Sequence, residues 1–117
     1  MKTKFYKYQA IGNDYIVLDP VTFNQPLNPN IIQKICDRKY GVGADGILYG
    51  PTNKNNNLSV KIFNPDGSEA EKSGNGIRIF SRYLFDRKYI KNNSFYYIQK
   101  AGWFKFLNLI NQPLKFK

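Results

Sequence analysis

Histidine is absent from this 117-residue chain, and cysteine occurs once, at Cys36. The lack of histidine excludes Ser-His-Asp and Cys-His catalysis and most zinc sites, because each of these needs an imidazole. A single cysteine excludes an internal disulfide and a metal site built from several thiolates. Any proton transfer must therefore use Asp, Glu, Lys, Tyr, the one Cys or a hydroxyl activated by the backbone.

Acidic residues are also scarce, since 8 Asp and Glu stand against 18 Lys and Arg, and the net charge is +10. Such a charge suits a nucleic-acid-binding domain, and it also attracts acidic small molecules. The basic residues are spread along the chain rather than clustered. This spread favours lysines that simply occupy surface positions, so nucleic acid is the weaker partner hypothesis.

Long apolar runs are missing as well, so no segment is predicted to span a membrane. Met1–Tyr6 is basic, but no apolar signal region follows it. The length fits one ordinary domain, and 42% hydrophobic residues suffice for a packed core. We predict a single domain over residues 1–117, located in the cytoplasm and without membrane contact.

Short β-branched and aromatic runs with alternating polarity predict six strands. They are Phe5–Gln9, Tyr15–Asp19, Ile47–Tyr49, Leu58–Phe63, Phe95–Ile98 and Trp103–Ile110. Gly12-Asn13-Asp14 is a turn signal, so a bend at Asn13 is predicted between the first two strands. The last two strands are predicted to form a hairpin around Ala101-Gly102.

Helical spacing of apolar residues predicts two helices. The first follows an Asn28 N-cap, carries Cys36 on its apolar face and ends near Tyr40, where Gly41 is a fitting stop. The second begins at Gly74, with Ile77, Phe80, Leu84 and Phe85 as its apolar residues. The order of elements predicts an α+β fold in which a curved mixed sheet wraps around a central helix, and the second helix is the candidate for that place.

The segment Asn64–Arg78 holds the most informative functional pattern, because a strand end, a tight turn and a Gly-Asn-Gly helix start follow one another. Ser73 lies at the predicted N-cap, where a serine most often only caps the helix. Two glycines weaken a helix start unless something must approach it closely. The N–H groups of Gly74, Asn75 and Gly76, helped by the helix dipole, are therefore predicted to hold a small anion such as a carboxylate.

Three segments resemble the N-terminal half of diaminopimelate epimerases, in the same order and at similar spacing. They are Gln9–Tyr15, Asp37–Gly46 and Phe63–Gly76, and the resemblance covers the chain to about Lys100. It implies the curved mixed sheet around a central helix that forms one of the two similar domains of this family. The second domain is expected to be absent from this chain.

Enzymes of this family convert LL- to meso-diaminopimelate, for lysine and peptidoglycan precursors, without a cofactor. Two cysteines, one from each domain, transfer protons on opposite faces of the α-carbon. By this resemblance Ser73 stands where the first cysteine would be and is the candidate catalytic residue. Asn13 and Asn64 match positions that hydrogen-bond the substrate, whereas Gly74 and Asn75 match the backbone cradle for its carboxylate. No cofactor and no metal are implied.

Ser73 alters the chemistry that the resemblance implies, because a serine hydroxyl is far less acidic than a thiol. A helix dipole, worth up to about 2 kcal/mol, does not make it a comparable base at neutral pH. Glu69 and Glu71, which lie close in sequence, are alternative bases. The expected partners are an amino-acid substrate and either a second copy of this chain or a chain that supplies the other half.

Three functional hypotheses therefore remain open. The first is an amino-acid epimerase that is incomplete as a lone chain. The second is a binding module or gene fragment that keeps the carboxylate cradle without turnover. The third is a basic nucleic-acid-binding domain, supported only by charge and aromatic content.

Overall fold

A computed structural model describes residues 5–10, 12–54, 57–71, 73–89, 94–99 and 102–107 of the chain. These residues form seven strands and two helices. The strands are β1 Tyr6–Ala10, β2 Asn13–Leu18, β3 Gly46–Lys54, β4 Asn57–Phe63, β5 Glu69–Ala70, β6 Ser94–Gln99 and β7 Gly102–Leu107. The helices are α1 Pro29–Cys36 and α2 Gly74–Asp86. In this part of the chain neither helix is long and apolar enough to cross a membrane.

The strands make one mixed sheet in the order β1-β2-β3-β4-β6-β7, with β5 paired to β4. The pairs β2–β3 and β4–β6 are parallel, and the other pairs are antiparallel. Tyr15 pairs with Gly46 across β2 and β3, and Ile47 pairs with Phe63 across β3 and β4. The starts of β2 and β3 and the end of β4 therefore lie side by side at one end of the sheet.

Helix α2 packs against one face of this sheet and forms the first of two cores with it. The buried residues recur at helical spacing on α2 and at alternate positions on the strands. They are Ala10, Val17, Leu48, Val60, Ile62, Ile77, Ile79, Phe80, Tyr83 and Leu84. The predicted α+β fold is confirmed, with α2 as the helix packed on the sheet. Phe85, predicted to be apolar core, is instead 37% exposed because it lies beside this stripe.

Helix α1 covers the opposite face and forms the second core. The buried residues of this core are Ile16, Leu18, Phe23, Ile32, Cys36, Ala44 and Ile47. Sequence neighbours such as Ile16 and Val17 therefore point to different cores, as the two-residue period of a strand requires. Cys36 is buried as predicted, and its burial raises the pKa of the thiol.

Helix α1 ends at Cys36, so the prediction that it reaches Tyr40 was wrong. Asp37 leaves the helical conformation, and its side chain accepts the backbone N–H groups of Lys39 (2.8 Å) and Tyr40 (3.0 Å). An aspartate that bonds the following backbone competes with helix continuation. Gly41 follows this turn, where an added Cβ would lie 2.0 Å from the carbonyl oxygen of Lys34.

Two strand boundaries and one additional strand also differ from the prediction. Asn13 pairs with Ala10 inside the first hairpin, so the bend precedes Asn13, and Gly12 takes a φ of +84° there. β3 was predicted to end at Tyr49, because Gly50-Pro51 is a dipeptide that usually ends a strand. It instead continues to Lys54, with a shift of register between Tyr49 and Thr52. β5, with only two residues, was not predicted. The hairpin of β6 and β7 is confirmed, whereas its predicted turn residue Ala101 and residues 108–117 lie outside the described residues.

Asp19 joins the end of β2 to the end of α2. It is 1% exposed, and its Oδ2 accepts the hydroxyls of Tyr83 (2.6 Å) and Tyr89 (2.7 Å). Its Oδ1 accepts the backbone N–H of Val21 at 2.9 Å. Burial and the adjacent Asp19 raise the pKa of Tyr83 far above its ordinary value and that of Tyr89 to about 12, so both hydroxyls stay protonated and donate.

Tyr83→Phe is expected to lower the free energy of unfolding by about 1–3 kcal/mol, because a buried carboxyl group loses a donor that water cannot replace. Tyr89→Phe is the matched control, since it removes a donor to the same oxygen from a side chain that is 41% exposed. Its loss should be smaller than that of Tyr83→Phe. Urea unfolding measures both, and equal losses would contradict this view of Asp19.

Candidate functional site

Four pieces of the chain converge at one end of the sheet. Asn13 and Tyr15 open β2, Gly46 opens β3, Asn64 follows β4, and Ser73 precedes α2. The convergence follows from strand register, because the start of β2 lies beside the start of β3, which lies beside the end of β4. The predicted site residues thus come from three separate motifs that the fold brings to one place.

Ser73 is the N-cap of α2, as predicted. Its backbone is extended (φ −154°, ψ 119°), and its Oγ accepts the N–H of Gly76 at 3.0 Å. The interpretation of this serine as a helix cap is therefore correct. The predicted anion cradle loses one of its three N–H groups, because the N–H of Gly76 is bonded to Ser73 Oγ. The N–H groups of Gly74 and Asn75 lie in the first turn, which has no intrahelical acceptors.

Gly74 faces open space. An added Cβ at this position would meet no heavy atom within 4 Å, whereas one at Gly76 would lie 3.0 Å from Ser73 Oγ. The two glycines therefore differ in role: Gly76 accommodates the capping side chain, and Gly74 leaves the start of the helix open to an approaching group. No acidic residue lies in the first turn of α2, so the positive end of the helix dipole is not offset there.

Tyr15 is a neighbour of Ser73 that the sequence interpretation missed. Its Oη lies 2.9 Å from Ser73 Oγ, and either hydroxyl can be the donor. Gly46 makes this position possible, because a Cβ there would lie 2.8 Å from Tyr15 Cε1. A signal was available in the sequence, since Asn13, Tyr15 and Val17 share one face of β2 and Val17 belongs to the core under α2.

Asn13 and Asn75 are hydrogen-bonded to each other, so the structure brings two of the predicted substrate-binding residues together. Asn75 Nδ2 donates to Asn13 Oδ1, and Asn13 Nδ2 donates to Asp45 Oδ2 at 3.2 Å. Each end of the Asn13 amide thus has a partner, which sets its orientation. Asp45 lies in the glycine-rich loop that closes the end of α1.

Arg38 organises the acidic residues behind Asn13. Its guanidinium donates to both oxygens of Asp14 (2.9 and 2.7 Å) and to Asp45 Oδ1 (2.8 Å). These residues line a cavity of about 300 Å³ with Gln9, Gly12 and Asn13. The hydrogen bonds from Arg38, together with that from the backbone N–H of Asp45 to Asp14 Oδ1 (3.1 Å), hold the pKa of the buried Asp14 carboxyl well below its usual range.

Asn64 lies beside this cluster rather than within it. Its Nδ2 donates to Ser68 Oγ at 3.0 Å, and its backbone N–H donates to the Ser68 carbonyl at 2.8 Å. Among the described residues, no hydrogen bond joins Asn64 to Ser73, Asn13 or Asn75. Its role as a substrate ligand stays a prediction, and the same holds for the roles assigned to the other site residues.

Glu69, an alternative base, is half-buried in β5 and pairs with Phe63, and Glu71 is exposed. Among the described residues neither glutamate forms a hydrogen bond with Ser73 Oγ, whereas Tyr15 does.

Ser73→Ala is expected to lower the free energy of unfolding by about 0.5–2 kcal/mol, because it removes the N-cap acceptor. Gly74→Ala is the matched variant one residue away. It should leave stability unchanged or raise it by up to about 1 kcal/mol, since alanine favours a helix and the space is open. Urea unfolding of the two variants measures this, and a loss of stability in Gly74→Ala would contradict the open position.

Asp14→Asn is expected to remove an acid-sensitive part of the stability. A carboxyl group with a lowered pKa in the folded state stabilises the protein above its unfolded pKa of about 4, and this contribution disappears as the pH falls towards the folded pKa. The gap in unfolding free energy between the wild-type chain and Asp14→Asn should therefore be largest near pH 6 and shrink towards pH 2.

Asp37→Asn is the comparison variant for this titration. The Asp37 carboxyl is exposed, and only the backbone N–H groups of Tyr40 and Lys39 lower its pKa, so its gap should change with pH in the same direction but be smaller. Urea midpoints at several pH values give the comparison. A gap for Asp14→Asn that is constant over the pH range would contradict the ion pair with Arg38.

Comparison with known proteins gives a consistent result. The family described as "Diaminopimelate epimerase" matches residues 5–106. Diaminopimelate epimerase 2 of Nostoc sp. is 54% identical over 100 residues, which are 85% of this chain and 35% of that protein. Diaminopimelate epimerase of Synechocystis sp. is 38% identical over 104 residues, covering 87% and 37% respectively. The chain thus spans about a third of the length of these curated relatives.

Solved structures with a similar fold include members of the phenazine biosynthesis protein PhzF family. The Bacillus anthracis protein has a TM-score of 0.66 at 22% identity and covers 90% of this chain and 36% of its own. The Enterococcus faecalis protein has a TM-score of 0.64 at 14% identity, with 86% and 38% covered. At these identities the likeness supports the fold alone.

Proposed function

We propose that this chain, which belongs to the diaminopimelate epimerase family, carries one half of an amino-acid epimerase site. The reaction is the cofactor-independent inversion of the α-carbon of diaminopimelate. The substrate carboxylate lies at the start of α2, and Ser73 faces the α-carbon. As the activity serves biosynthesis of lysine and peptidoglycan precursors, the location proposed for it is the cytoplasm.

The single observation that carries this proposal is the geometry of the start of α2. The open position at Gly74 and the first-turn N–H groups of Gly74 and Asn75 suit a carboxylate, which the helix dipole also favours. Asn75 is further held by Asn13, whose amide orientation is set by Asp45 and Arg38. A preorganised set of donors can stabilise negative charge that develops on the carboxylate as the α-proton leaves.

The other half of the site must come from outside the described residues. Stereoinversion needs a proton acceptor on one face of the α-carbon and a proton donor on the other. Ser73 occupies one face only, so the proposal assigns the second group to residues outside the described ones: a second copy of the chain, or a segment equivalent to the remaining two thirds of the relatives.

A carboxylate-binding module without turnover is the alternative function, and one observation favours it. Ser73 Oγ already accepts the Gly76 N–H, as an ordinary cap does, and a serine hydroxyl is a weak base. In this alternative the cradle at Gly74 and Asn75 binds an amino acid, but no proton leaves the α-carbon. Deuterium exchange separates the two functions.

The 117-residue chain alone is expected to catalyse little or no exchange of the α-proton of diaminopimelate in deuterated water, because one proton-transfer face is missing. A chimera supplies that face: this chain replaces the matching segment of the Nostoc protein. Ser73→Cys in the chimera should raise the exchange rate by about 100-fold or more, as expected for a competent general base. Mass spectrometry or NMR measures the deuterium incorporated.

Gly74→Ala is the binding control, because it fills the open position at no cost in stability. It should weaken binding of diaminopimelate to the 117-residue chain in a calorimetric titration, whereas Asn30→Ala, at an exposed position of α1 on the opposite face of the sheet, should not. Fast exchange by the chain alone would contradict the half-site proposal. Unchanged binding in Gly74→Ala would contradict the carboxylate cradle.

A further inference from the structure

Tyr15 gives the site a second hydroxyl that the family resemblance does not assign. We propose that Tyr15 is a positioning residue for proton transfer at Ser73, so that the two hydroxyls act as one unit; this inference rests on the proposed function. Tyr15 does not face the reacting carbon in this arrangement. It acts through Ser73 Oγ, which lies 2.9 Å from Tyr15 Oη.

Within the described residues, the hydrogen bonds of the pair use one of its two hydroxyl protons. Ser73 Oγ accepts the N–H of Gly76 at 3.0 Å, and the bond between the two hydroxyls uses one of their two protons. When Tyr15 donates, the Ser73 hydroxyl keeps its own proton and can direct it towards a ligand at Gly74. Each hydroxyl can donate one hydrogen bond and accept others, so the hydrogen bond between Tyr15 and Ser73 can also run in the opposite direction.

Two donors then converge on Ser73 Oγ, namely the Gly76 N–H and the Tyr15 hydroxyl. Hydrogen bonds to a group that becomes charged are stronger than neutral ones, so both donors favour negative charge on this oxygen. They do not make serine as acidic as a thiol. A phenol, however, is a much stronger acid than an alkyl alcohol, so the charge is better held on Tyr15 than on Ser73.

The proton therefore moves in a relay whose charges balance. Solvent first takes the proton of Tyr15 Oη. In the forward direction the resulting phenolate takes the proton of Ser73 Oγ, and Ser73 Oγ takes the proton of the α-carbon, leaving the electron pair on the carbon. In the reverse direction Ser73 Oγ–H protonates the carbanion and Tyr15 Oη–H restores the Ser73 hydroxyl. Nothing is oxidised or reduced, and solvent returns the final proton.

The local structure is built for this contact. A Cβ at Gly46 would lie 2.8 Å from the Tyr15 ring and 2.8 Å from the Phe63 carbonyl oxygen, so a larger residue would displace the ring. Tyr15 also packs against the core under α2. A purely structural role for the ring is therefore the competing explanation, and Tyr15→Phe separates the two because it keeps the ring and removes only the hydroxyl.

The test is a double-mutant cycle in the Nostoc chimera, measured as α-proton exchange with diaminopimelate in deuterated water. With Ser73 present, Tyr15→Phe should lower kcat for exchange about tenfold to a hundredfold and leave KM unchanged. In the Ser73→Cys background the thiol needs no relay, so Tyr15→Phe should change the rate less than about fivefold.

Equal losses in the two backgrounds would assign Tyr15 a structural role and overturn the proposal. An active Ser73→Cys chimera combined with no exchange when Ser73 is present would overturn it as well, and would favour the carboxylate-binding module without turnover over the epimerase. Absence of exchange in every chimera, with the intact Nostoc protein active as a control, would instead refute the proposed function.

A second measurement does not depend on the chimera. In the 117-residue chain carrying Ser73→Cys, the rate of alkylation by iodoacetamide reports how readily the group at position 73 loses its proton. Peptide mass distinguishes this thiol from the buried Cys36. Adding Tyr15→Phe should slow the alkylation about two- to fivefold at pH 7, since one donor to the thiolate is lost. An unchanged rate would overturn the proposal.

Discussion

The hydrogen bond from the Gly76 N–H to Ser73 Oγ is the contact on which the site depends. It caps α2 at its start and engages the N–H of Gly76, whereas the N–H groups of Gly74 and Asn75 lie in the first turn, which has no intrahelical acceptors. A helix start is a natural anion site because its N–H groups have no intrahelical partners and its dipole is positive. In the function proposed here, capping by Ser73 and ligand binding at Gly74 and Asn75 are therefore parts of one arrangement and not competing explanations of Ser73.

The rest of the site orients groups around this helix start. Arg38 is hydrogen-bonded to both Asp14 and Asp45. Asp45 accepts a hydrogen bond from the Asn13 side chain, which in turn accepts one from Asn75. Preorganisation of this kind matters more for a weak proton-transfer group than for a strong one, because the environment must supply what the group lacks. In the proposed function a serine stands where the family has a thiol, so the proposal depends on these surrounding donors.

Much of the fold could be predicted from the sequence because helical spacing and strand alternation are local signals. The start of α2 at Gly74 was found from its cap and its glycines, whereas the end of α1 was not, since the Asp37 side chain competes with the helix only once its turn has formed. Strand alternation indicates which face of β2 carries Tyr15, but it does not predict the contact with Ser73, which joins residues 58 positions apart. This contact depends on β2 lying under α2 and on the space left at Gly46.

A crystal structure of the chain with diaminopimelate bound tests the central claim most directly. The account predicts a substrate carboxylate on the N–H groups of Gly74 and Asn75, with Ser73 Oγ facing one side of the α-carbon and no proton-transfer group of the same copy on the other side. A carboxylate bound elsewhere, or proton-transfer groups from one copy on both sides of the α-carbon, would contradict it.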